Sequence, residues 1–168
     1  MKGFFKAIDR LNETTGKLVS FLIIFLVGVI LYEICARYLF NSPTIWAHET
    51  SQMIYGAYVI LLGGYVLQRG GHVNVEILYL RFSPRKRAII DLFTWLLFFY
   101  FCGLLLTKGW EMAWDSFTVR ETEPTAFAPP VYPIKMMIPL GALLILLQGV
   151  AKFIQGLTFA ISGKEEAP

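Results

Sequence analysis

Residues 37–76 read RYLFNSPTIWAHETSQMIYGAYVILLGGYVLQRGGHVNVE, and this stretch decides the fold. It holds one uncharged run, Thr50 to Gln68, bracketed by Arg37, Trp46, His48 and Glu49 on one side. Arg69, His72, Asn74 and Glu76 follow on the other. A helix over that run rises about 28 Å, close to the hydrocarbon thickness of one bilayer. The charged and aromatic groups therefore fall at the two ends of a membrane span.

Three further apolar runs, Leu18–Tyr32, Leu92–Thr107 and Met136–Ala151, repeat the pattern. The composition agrees: 56% of the residues are hydrophobic and only 16% charged, against about a quarter charged in soluble domains. The expected class is an all-α integral membrane protein, a single membrane domain over residues 1–168. Its four transmembrane helices are read near 17–40, 48–69, 84–114 and 134–160, with a short amphipathic interfacial helix at 72–83. Eleven of the fifteen Lys and Arg residues fall before the first span, between the second and third, and after the fourth. That bias predicts cytoplasmic N- and C-termini. The cluster Arg85, Lys86 and Arg87 abuts a span, so anionic lipid head groups are the expected contact and nucleic acid is not. No small-residue cleavage site follows Tyr32, so the first span is read as uncleaved.

Residues 1–17 set Phe4, Phe5, Ile8 and Leu11 at helical spacing with charges opposite, a surface helix with a bend expected at Asn12–Gly16. Glu33 and Arg37 are four apart on one helix face and suit an interfacial ion pair. Glu49 is a second available carboxylate for Arg37. Trp46 is an interface anchor, and Glu49 opens the second span beside its positive dipole end. Gly56 and Gly63, and again Gly149 and Gly156, are seven apart, the pattern of close helix contact. Gly70-Gly71 breaks the second span, with Arg69, His72 and Glu76 grouped around the turn. Ser83-Pro84 opens the third helix as N-cap and first residue. The segment 115–135 carries four prolines and reads as a docking face or a stiff connector. Cys35 and Cys102 lie at different depths, so no disulfide is expected.

The chain carries no P-loop, HExxH, CxxC or nucleophile elbow, so no enzyme and no cofactor is expected. The spans also lack the mid-membrane carboxylates and paired helix breaks of a self-sufficient carrier. A redox-enzyme membrane anchor is the alternative, although the two histidines fall on opposite sides of the membrane. A stand-alone exporter using Glu33 is a third reading.

The pattern R-Y-L-F-N-S-P-x-x-W-x-x-E, followed by a span ending in R-G-G-H-V-N-V-E, resembles the small, DctQ-like membrane subunit of tripartite ATP-independent periplasmic (TRAP) transporters. His48 stands where that family often has an acidic residue. The resemblance implies a scaffold beside a large elevator-type membrane subunit that carries the substrate and sodium sites. It also implies a periplasmic substrate-binding protein as partner, and uptake of an organic acid on a sodium gradient. The expected location is the cytoplasmic (inner) membrane of a bacterium or archaeon. In that setting Arg37, Trp46 and Glu49 fix the outer helix ends, and Arg69, His72 and Glu76 the inner turn.

Overall fold

The computed structural model describes residues 2–71 and 84–162, with side chains left out at 2, 84–89 and 159–162. The expected interfacial helix at 72–83, with His72, Glu76 and the Ser83 cap, lies outside the described residues. So do the side chains of Arg85, Lys86 and Arg87. Among the described residues there are five helices: α1 (Lys2–Ser20), α2 (Leu22–Tyr38), α3 (Ala47–Gln68), α4 (Pro84–Thr118) and α5 (Tyr132–Ser162). Among the described residues four segments are long and apolar enough to cross a membrane: Gly3–Tyr38, Ala47–Gln68, Ile90–Thr118 and Tyr132–Thr158. One end of the molecule, here called proximal, carries α1 and the end of α3. The distal end carries the connections 39–46 and 119–131.

The spans are arranged in a row. α2 packs on α3, α3 on α5 and α5 on α4, and among the described residues α4 has no substantial packing with α2 or α3. Burial follows this order. A third of the apolar window of α5 (33%) is buried, against 6% in α3 and in α4, so α5 is the inner helix. Lipid tails are as apolar as leucine, so close fit rather than water exclusion holds such helices together. Glycines supply that fit. A Cβ on Gly141 of α5 would lie 2.6 Å from the Ile60 carbonyl oxygen of α3, so the two backbones nearly touch there. On the other flank Gly149 receives the Phe98 ring of α4. Trp95, Phe99 and Phe153 continue that seam edge to face, with centroids 5.6 and 5.7 Å apart. α5 runs through Pro139 without a break.

The helix does not bend at Asn12–Gly16. Asn12 is 1% exposed, and its amide donates to the Ile8 carbonyl one turn back in the same helix (3.3 Å) and to Gln148 of α5 (2.8 Å), bonds that an unbroken helix accommodates. The irregularity comes at Phe21, where bonds from Phe21 N to Leu18 O (3.2 Å) and Ile24 N to Phe21 O (3.1 Å) tighten one turn. α1 then lies across the proximal ends of α3 and α5. Phe5 and Ile8 meet Ala151, Leu147 and Ile154 of α5, and Gly16 meets Tyr65 of α3. The expected apolar face is divided: Phe5 and Ile8 are buried, while Phe4 and Leu11 are exposed.

Candidate functional site: polar clamps at the two ends of the row

At the distal end, α2 finishes in YEICARY, which places Glu33 and Arg37 on one face. Arg37 makes its ion pair with Glu33, and not with Glu49. Nε donates to Oε1 at 2.9 Å and Nη2 donates to the same oxygen. The other carboxylate oxygen accepts from the Thr44 backbone N–H (3.1 Å) and from the Thr44 hydroxyl. That hydroxyl in turn accepts from Ala47 N at the start of α3 (3.4 Å). Glu33 thus joins α2, the connection and α3, with its side chain only 16% exposed while that of Arg37 is 52% exposed. Asn41 turns the chain with φ of 50°, a left-handed conformation that asparagine tolerates. Trp46 stacks on Tyr32 of α2, with centroids 5.6 Å apart. Thr44 is absent from the sequence reading, although its place three residues before Ala47 is a cap-like spacing.

Glu49 lies in the first turn of α3, facing a cleft of about 350 Å³ with His48, Gln52, Glu123 and Thr125. Its Oε2 is buried with no hydrogen-bond partner among the described residues. The connection 119–131 is doubled back on itself and is not extended. α4 continues through Thr118, and then Glu123 N bonds to Pro129 O (2.9 Å) and Val131 N to Glu121 O (3.0 Å). Arg120 and Ala128 take positive φ at the two bends. Lys135 of α5 ties the base of this strap by an ion pair to Glu121. A hydrogen bond from the Lys135 ammonium holds the Glu121 carboxyl below the usual carboxylate range.

At the proximal end, Asn12 Nδ2 donates to Gln148 Oε1 (2.8 Å) and Gln148 Nε2 donates to Asp9 Oδ1 (2.9 Å). Gln68 of α3 adds a bond to the Asp9 carbonyl (3.1 Å). Three helices are thereby knitted through carboxamides, of which Asn12 and Gln148 are 1% and 2% exposed. Arg69 reaches back to Glu13 of α1 at 3.5 Å and lies over the Tyr65 ring. Gly70, with φ of 69°, ends α3: Gly70 N bonds to Leu67 O and Gly71 N to Val66 O. This pairing is a Schellman cap, and glycine carries it without the Cβ penalty. Gln148 was legible as the lone polar residue of an apolar run, but its partner stands 136 positions away.

Gly63 and Gly56 differ in what they meet. A Cβ on Gly63 would press on Ile145, whereas one on Gly56 would make ordinary contact with Ile134 at 3.6 Å. A Cβ on Gly156 would meet nothing within 4 Å among the described residues. Charged groups of the described spans thus gather near the row's two ends.

No curated protein matches the chain. The family described as tripartite ATP-independent periplasmic transporters, DctQ component, matches residues 26–159, which spans α2 to α5 and leaves α1 outside. Arg37, Trp46, Glu49, Gly56, Gly63 and Arg69 all fall within the match. The chain belongs to the DctQ family, the small membrane component of the TRAP transporters.

Proposed function

We propose that this chain is the fixed scaffold of a sodium-driven TRAP transporter that takes up an organic acid. In such systems the DctQ component works with a large membrane subunit and a periplasmic binding protein. The observation that carries the scaffold reading is the open row of spans with its polar clamps at the ends. Residues 18–32, 50–68, 92–107 and 136–151 carry no Asp, Glu, Lys or Arg, and a carrier's coupling groups belong near the midplane. In this reading the large subunit holds the sodium and substrate sites and moves against the row. The proximal end and both termini face the cytoplasm, and the distal strap 119–131 faces the periplasmic binding protein. Arg37 through Glu33 and Thr44, with Trp46 stacked on Tyr32, keeps the outer ends in register, and Arg69 fixes the inner turn. The membrane is the inner membrane of a bacterium or archaeon.

Reconstitution tests the proposal. Vesicles holding this chain and the large subunit, with the binding protein outside and an inward sodium gradient, should accumulate an organic acid. Vesicles holding this chain alone should not. Uptake by the large subunit and binding protein at full rate without this chain would refute the scaffold role.

A further inference from the structure

A trough of about 490 Å³ runs along the seam between α2 and α3. It exists because the two walls are unequal. Leu26, Ile30 and Ile34 form a stripe on α2, while α3 opposes them with the small Ala47 and Ser51 before Tyr55. The lining changes character along its length. The inner part is aliphatic on the α2 wall and carries Ser51, Gln52 and Tyr55 on the α3 wall, and the distal mouth carries Arg37 and His48. From Arg37 to Leu26 the helix rises about 16 Å, which is about half of a hydrocarbon core. The trough is therefore one leaflet deep.

We infer that this trough is a binding site for one phospholipid of the distal leaflet, its phosphate on Arg37 and one acyl chain along Leu26, Ile30 and Ile34. The charge at the mouth fits. Glu33 is already occupied by Arg37 and Thr44 and is mostly covered, so the guanidinium is the exposed charge. Both of its bonds to Glu33 come from Nε and Nη2, and among the described residues Nη1 has no acceptor. The width fits as well. Packed helices have axes about 8–10 Å apart, and a helix with its side chains is about 10–12 Å across. The valley between two such helices is wide enough to take an acyl chain.

The test uses the full chain, purified in detergent and supplied with phosphatidylethanolamine, phosphatidylglycerol or diacylglycerol, with retained lipid counted by native mass spectrometry. Wild type should keep one phospholipid per chain and prefer it over diacylglycerol. Ile30→Trp fills the trough and should lower retention about tenfold. Arg37→Gln should abolish the preference over diacylglycerol while leaving chain binding in place. Leu96→Trp, on the exposed face of α4, should behave as wild type. Equal retention by Ile30→Trp, or no retained phospholipid on wild type, would overturn the site. So would efficient cross-linking of Ile30→Cys to the large subunit in membranes, which would assign the trough to a partner helix. Because lipid is counted on this chain alone, the lipid count is independent of whether the scaffold role holds.

Discussion

Glu33 shows how a single residue can look like a coupling group and act as a joint. A carboxylate in an apolar helix invites a proton-relay reading, but each of its oxygens is committed, one to Arg37 and one to Thr44. The spacing to Arg37 was legible because a helix brings residues four apart together. The bond to Thr44 was not, since it depends on how the connection 39–46 folds back. Glu121 is the comparable joint of the strap, and it titrates. Its folded pKa is lowered by the hydrogen bond from Lys135, so the stability it adds is present above the unfolded value of about 4.3. It is lost as pH falls through the lower folded value. Amide exchange at Val131, whose N–H bonds to Glu121 O, should stay slow at neutral pH and quicken only in acid, after correction for the intrinsic pH dependence. Glu121→Gln should flatten that profile, and an unchanged profile in the variant would remove Glu121 from this role.

At the scale of the helices, α1 and the glycine seams separate what sequence spacing tells from what it leaves open. Phe4, Phe5, Ile8 and Leu11 read as one apolar face, yet only Phe5 and Ile8 are buried. A helix touching protein on one side and lipid on the other needs a broad apolar arc, and both surroundings select the same residues. Phe4, Leu11 and Leu18, seven apart and exposed, form the arc left to the membrane. Glycine spacing has the same limit. Gly149 and Gly156 share a helical register, but among the described residues only Gly149 meets a neighbour. Gly141, outside any seven-residue pair, makes the contact that no side-chain motion can relieve, because the opposing atom is the Ile60 carbonyl oxygen. Gly141→Ala should therefore force α3 and α5 apart and cost about 1–3 kcal/mol. Gly156→Ala should be neutral or stabilising by about 0.5–1 kcal/mol, from the helix-interior cost of glycine. Thermal unfolding of the two variants in the same detergent compares them, and an equal loss in both would contradict the seam.

For the molecule as a whole, four spans were legible from hydropathy, but their order in space was not. A face that meets lipid and a face that meets a helix are both apolar, and hydropathy sums them alike. What fixes the row is shape: small residues along α5 admit α3 on one flank and α4 on the other, leaving α2 and α4 at opposite edges. A closed four-helix bundle would bring those edges together and bury the shared interior. The row keeps two broad apolar faces, and the exposed Leu92, Leu96, Tyr100 and Phe101 of α4 lie at one edge. Paired cysteines distinguish the two arrangements, in a background with Cys35→Ala and Cys102→Ala. Gly56→Cys with Ile134→Cys should cross-link readily across α3 and α5, and Phe98→Cys with Gly149→Cys across α4 and α5. Ile30→Cys with Leu96→Cys should not cross-link within one chain, because α3 and α5 stand between them. The same pairs, tested with and without the large subunit, report whether the row survives assembly. An α2–α4 cross-link that forms within this chain would mean that the row closes into a bundle, and the two faces offered to lipid and partner would then be lost.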